Sequence, residues 1–172
     1  FAPVNGRAAP LDRATVGAND ATTMDMTLAD TQSLVSAAKK EEFGFAPAEF
    51  FAIGYCMGGR HALVATTRCS EVRAGISAHG GRLVDQTEQS PHLLVRDLTM
   101  PFHFYHARDD ETCPTEHQKM ITREAERAGP HIVSRTLDAY HGWSFPDRWS
   151  FDETASEHVW KQAIQLFRGA ID

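Results

Sequence analysis

Residues 50–60 read FFAIGYCMGGR, and no other stretch limits so sharply what this chain can fold into. Apolar residues suited to a buried strand run into Cys56, which is framed by Gly54, Gly58 and Gly59. The pattern G-x-C-x-G between a strand and a helix is the setting of a nucleophile elbow, with cysteine in place of serine. On such a corner the nucleophile's backbone is strained, and side chains at the flanking positions would collide with the adjacent strand or helix. Two effects then favour chemistry. The N–H groups that open the following helix carry partial positive charge and lower a thiol's pKa. The Met57 N–H can also face a developing oxyanion. The plain alternative is a small buried cysteine on a tight turn.

The rest of the chain supplies a frame for that corner. Residues 1–23 are rich in Ala, Gly, Asn, Asp and Pro and read as a loop. Met24, Leu28, Thr31, Val35 and Ala38 recur at helical spacing, which predicts an amphipathic helix over 25–41. A strand at 50–55 precedes a helix at about 58–68. RAGISAHGG (73–81) and MPFHFYHA (100–107) are short apolar strands. TEHQKMITREAERAG (115–129) is a charged helix stopped by Gly129 and Pro130, and HIVSRTLDA (131–139) alternates as a strand. The final stretch, 150–172, is a helix in which Ser150 and Glu153 form a capping box, with Ala155, Val159, Ala163, Leu166 and Phe167 as its apolar face. Strands alternating with helices predict an α/β fold, a mostly parallel sheet with flanking helices. At 172 residues one domain is expected over the whole chain.

Composition narrows the function classes. The chain is 42% hydrophobic and 23% charged, which is ordinary for a globular protein. A net charge of -6 with no basic cluster argues against nucleic acid as a partner. No apolar run approaches the roughly 18 residues that span a bilayer, and no signal peptide is visible. No membrane partner is therefore expected. Cys56, Cys69 and Cys113 are an odd set, which suits reduced thiols in the cytoplasm better than a disulfide framework. Cys69 and Cys113 have no activating neighbours and read as packing residues. HFYHARDDETCPTEH gathers His103, His106, Asp109, Asp110, Cys113 and His117, which invites a metal reading. Yet residues three apart on a strand point to opposite faces, so His103 and His106 do not easily share an ion and no metal is expected.

An elbow nucleophile needs a base and an orienting acid, which follow it in the order acid, then histidine. ARDDETCP follows the strand at 100–107, and DAYHGWSF carries His141 past the last strand. Both stand where open α/β sheets bind ligands, beyond the C-terminal ends of strands. GYCMGGR, ARDDETCP and YHGWSF resemble the three catalytic segments of the dienelactone hydrolase family of α/β-hydrolases. The resemblance runs through most of the chain from about residue 24, with the elbow its most specific part. It implies Cys56 as nucleophile, Asp110 as orienting acid and His141 as general base. Asp110 is preferred to Asp109 because the family's acid stands four residues before a proline, and Pro114 fits that spacing. The plain alternatives are a solvated turn for the aspartates and a loop histidine for His141.

The family's substrates are small cyclic esters bearing a carboxylate, which arginines hold. Arg7 in NGRAAP is similar to one such position, and Arg148 lies close to the other, although the family's arginine stands nearer to the histidine. His79 in SAHGG is a further candidate to line the pocket, or else a structural turn residue. Trp143 and Phe145, with Trp149, are candidates for an apolar wall. The resemblance thus implies a hydrolase of carboxylic esters or lactones that needs no cofactor. His141 would deprotonate Cys56, the thiolate would attack the carbonyl, and the Met57 N–H with a second donor would hold the oxyanion before water releases the acyl group. Members of the family carry further strands before the segment matching residues 1–23, and those strands supply half of the sheet, an oxyanion donor and an acidic group. This sequence lacks them, so the strand at 50–55 is expected to present an apolar edge, with a second copy of the chain as one cover. The alternative function is a catalytically silent α/β domain acting as a binding or self-associating module.

Overall fold

The computed structural model describes residues 21–40 and 47–171. Within them, period-two apolar runs become strands and the segments between become helices. In chain order the elements are α1 (Met24–Lys39), β1 (Phe50–Tyr55), α2 (Gly58–Arg68), β2 (Val72–Ala78), a 3-10 turn at Pro91–Asp97, β3 (Phe102–Asp109), α3 (Thr115–Ala128), β4 (Ile132–Tyr140) and α4 (Glu153–Gly169). The strands form one sheet in the order β1-β2-β3-β4, and every neighbouring pair is parallel. This is the α/β arrangement that the alternation of strands and helices predicts.

Side-chain alternation divides the core between the two faces of the sheet. On β3, Phe102 and Phe104 face one layer, where they meet Leu63 and Val64 of α2 and Ile121 and Ala125 of α3. Tyr105 and Ala107 face the other, with Ile76, Ala78 and Trp143 against Ala155, Val159 and Ala163 of α4. Helix α1 adds a smaller cluster in which Val35 meets Ala65, Cys69 and Val72. Its N-cap is Thr23, whose side chain accepts the Met26 N–H at 3.1 Å. The same alternation separates His103 from His106. His103 lies near the Tyr105 hydroxyl, whereas His106 is buried on the opposite face against Ser134.

Three expectations need correction. Helix α4 is capped by Asp152, whose carboxylate accepts the Ala155 N–H at 2.9 Å, and not by Ser150. Ser150 precedes the helix and is buried beside Gly142. Residues 91–97 form a 3-10 turn where no element was expected. At the elbow the crowded glycines are Gly54 and Gly59, while a Cβ at Gly58 would meet nothing. A Cβ at Gly54 would strike the Gly58 carbonyl, and one at Gly59 would strike Ser77 and Gly80.

Among the described residues β1 is an outer strand of the sheet. Phe50, Phe51, Ala52 and Ile53 are all only half-buried. They line an open groove of about 410 Å³, together with Leu34 and Val35 of α1.

Candidate active site

Each strand delivers one residue of interest immediately beyond its C-terminal end: Cys56 after β1, His79 after β2, Asp110 after β3 and His141 after β4. Parallel pairing aligns those ends, so the four residues share one rim of the sheet. The rest of the geometry follows from how each side chain is turned.

Cys56 has φ +52°, the left-handed conformation that an L-residue adopts only at a cost. The turn is held by hydrogen bonds from the Gly59 N–H and the Gly81 N–H to the Cys56 carbonyl, both 3.0 Å. The thiol stands close enough to His141 and to the Met57 N–H for both to act on it. Its pKa is lowered, chiefly by the hydrogen bond with His141, against the opposing effect of burial. The charges of His141 and Arg148 and the Met57 N–H act in the same direction. Cys113, by contrast, is pushed up to about 12 by burial, and burial also raises Cys69.

His141 Nδ1 lies 2.7 Å from Asp110 Oδ2, which leaves its other ring nitrogen for the sulfur. Asp110 is 6% exposed, and its Oδ1 accepts the Thr112 N–H at 2.8 Å, the Thr112 hydroxyl at 2.7 Å and the Cys113 N–H at 3.2 Å. Burial raises the Asp110 carboxyl, but the bonds from His141 and Thr112 outweigh it and the net shift is downward. The His141 pKa is raised to about 9, first by Asp110 and then by Cys56. Asp109 turns outward and pairs with Arg108 at 3.2 Å. A site of this kind can generate a thiolate beside an imidazolium and pass a proton between them.

The remaining candidates divide by depth. His79 and Trp143 are 0% and 1% exposed, so neither lines a pocket. Both lie beneath the site, with their rings edge to face at 5.0 Å. Phe145 is 36% exposed and stands over Tyr55 and His79, at 5.8 and 5.6 Å between ring centres. The Arg148 guanidinium lies 5.3 Å above the Phe145 ring and close enough to act on the Cys56 thiol. Arg7 falls outside the described residues. Trp149 is largely exposed and packs on Tyr140 at 5.3 Å, in the wall of an open cleft of about 970 Å³ that also borders Asp110, Thr112 and His141.

Two residues of the site escaped sequence reasoning. Thr112 clamps Asp110, and its position two residues after an aspartate is the signature of an Asx turn, which was legible. Ser144, 2.7 Å from His79 Nε2, carried no such signal.

The model of the dienelactone hydrolase family matches residues 6–171. No curated protein matches the chain in sequence. A Klebsiella pneumoniae subsp. pneumoniae protein assigned as a dienelactone hydrolase superposes with a TM-score of 0.80 at 18% identity, covering 92% of this chain and 68% of its own. A dienelactone hydrolase-like promiscuous phosphotriesterase from metagenomic libraries superposes with a TM-score of 0.71 at 21% identity, covering 95% of this chain and 68% of its own. For esterase 2 of Thermogutta terrifontis the TM-score is 0.63 at 18% identity, with 83% of this chain and 64% of that one covered. At these identities the three structures speak to the fold.

Proposed function

The chain belongs to the dienelactone hydrolase family, and on that premise we propose that it hydrolyses small carboxylic esters or lactones with Cys56 as nucleophile. The family and its α/β-hydrolase fold are those of hydrolases. The finer reading is carried by one observation: His141 bonds to the buried Asp110 carboxylate at 2.7 Å on one side and acts on the Cys56 thiol on the other. A thiolate lends itself to attack on an acyl carbon, and an imidazolium held in line protonates a departing oxygen.

In the first step the Cys56 sulfur bonds to the carbonyl carbon and the oxyanion forms. The carbon–oxygen bond of the ester then breaks, and the alkoxide takes its proton from His141. In the second step a water gives a proton to His141 and attacks the thioester, the carbon–sulfur bond breaks, and the acid leaves. The Met57 N–H, which acts on the thiol and heads the following helix, is the donor we propose for the oxyanion. Arg148 is the group we propose to attract a substrate carboxylate, with Phe145 as apolar wall beneath it. Arg7 remains part of the same proposal, as a second cation. No step calls for a cofactor.

The setting we propose is the cytoplasm, where three unpaired thiols stay reduced. None of the described helices is long and apolar enough to cross a membrane. The family match along almost the whole chain favours reading residues 1–172 as one domain.

A panel of lactones and p-nitrophenyl esters, assayed with the intact chain and with Cys56→Ala, tests the proposal. Turnover that the substitution abolishes supports it, and turnover that survives the substitution refutes it. A second reading, a silent domain that self-associates, is favoured by the half-buried apolar residues of β1, an outer strand among the described residues. No turnover of any substrate, together with a dimer mass by size exclusion, would favour that reading.

A further inference from the structure

His79 belongs to neither end of the proton line, yet it touches both. Cys56 follows β1 and His141 follows β4, three strand spacings away, which is roughly 14 Å at about 4.8 Å each. For sulfur and imidazole to meet, His141 must lean across the ends of β2 and β3. His79 occupies the end of β2 beneath that span and is fully buried. Its Nδ1 accepts the Cys56 backbone N–H at 3.2 Å, a donor shared with the Ala78 carbonyl at 3.2 Å, and its Nε2 lies 2.7 Å from the Ser144 hydroxyl, three residues beyond His141. Its ring also packs edge to face on the His141 ring, with centres 5.0 Å apart.

The ring nitrogens settle the tautomer. Because Nδ1 accepts, the proton sits on Nε2, which donates to Ser144. Burial pulls the His79 pKa down to about 4, and the charge of His141 pulls in the same direction. At neutral pH the ring is therefore uncharged, acceptor on one side and donor on the other, and adds no charge opposing a protonated His141. Its backbone has φ +38° in a non-glycine residue, a conformation that the surroundings must hold in place.

We propose that His79 is a positioning residue, which ties the nucleophile's backbone to the turn that carries the base and so sets the contact between Cys56 and His141. This inference rests on the reading of Cys56 and His141 as a working pair. It assigns His79 no contact with substrate.

Two substitutions test it without altering His141 or Arg148, the charged groups that act on Cys56. Ser144→Ala removes the outer hydrogen bond at a half-buried surface position, and His79→Asn removes the ring with a residue that tolerates positive φ. Ser144→Thr restores the hydroxyl. The readout is the pH dependence of Cys56 alkylation by iodoacetamide, alongside kcat and KM for p-nitrophenyl acetate and a thermal melt. Both disruptive variants should fold, with the alkylation midpoint moved toward the value of about 8.5 for a free thiol. Their kcat should fall about ten- to a hundredfold with KM little changed, since misplacement of a catalytic group acts on the chemical step. The threonine variant should behave as wild type. A merely structural role would lower the melting temperature and leave the midpoint where it was. If the wild-type midpoint already equals that of a free thiol, the catalytic reading fails and takes this one with it. A low wild-type midpoint that neither variant moves overturns the role of His79 alone.

Discussion

A free thiol titrates near 8.5, and at Cys56 the His141 imidazole, the Met57 N–H and the Arg148 charge all act to lower that value. Iodoacetamide at pH 6–7 should therefore label Cys56 in the native protein and spare Cys69 and Cys113, which peptide mapping would show. Equal labelling of all three thiols would contradict the electrostatics. Asp110 extends the same argument one residue outward. Removing the carboxylate partner of a catalytic histidine costs about 10^4 in a serine triad. Here the other groups still act on the sulfur, so Asp110→Asn should cost kcat less, about a hundredfold. The stability consequence has a definite sign. A histidine raised from 6.5 to about 9 stabilises the fold fully below 6.5 and loses that contribution as pH climbs through about 9. The melting-temperature gap between wild type and Asp110→Asn should thus be widest near pH 6 and narrow by pH 10. A gap that widens with pH would show that the Asp110–His141 bond is not its source.

Among the elements, the elbow and the last helix depend on local contacts that can be removed singly. Gly54 and Gly58 both flank Cys56, but only at Gly54 would a methyl meet backbone, the carbonyl of Gly58. Gly54→Ala should cost at least about 2 kcal/mol in urea unfolding, as overpacking does. Gly58→Ala, at the first residue of α2 and facing open space, should be neutral or stabilising by up to about 1 kcal/mol. Equal losses at the two positions would refute the steric account. At α4, Asp152→Ala should cost about 1 kcal/mol through loss of the cap on the Ala155 N–H, whereas nothing in the helix start depends on Ser150.

For the molecule as a whole, the open question of physical chemistry is the outer edge of β1. Among the described residues β1 is an outer strand, with Phe50, Phe51 and Ile53 half-buried, and edges of this kind recruit a further strand. The 19.1 kDa chain should accordingly show a mass that rises with concentration in size exclusion with light scattering. A monomer mass at every concentration would remove self-association from consideration. The rim where the four strands end lies at right angles to this edge, so association along β1 leaves the approach to His141 open.

The sequence by itself determined the strand–turn–helix at Cys56, because the steric demand that Gly54 satisfies comes from its chain neighbour Gly58, although Gly59 answers to Ser77 and Gly80 at the end of the next strand. It likewise determined the helix and strand order, since period 2 and period 3.6 are written residue by residue. Tertiary structure decided what hangs on packing between distant segments. Asp110 turns inward to His141 while Asp109, one residue earlier, turns out to Arg108. His79 and Trp143, candidates for a pocket wall, are sealed beneath the site because Trp143 packs against α4 and the turn after His141 lays Trp143, Ser144 and Phe145 against His79. The cap of α4 passed from Ser150 to Asp152 because the buried turn at Gly142 takes up Ser150. Chain neighbours limit where a backbone can go, but the distance between side chains on different strands exists only once the sheet has assembled.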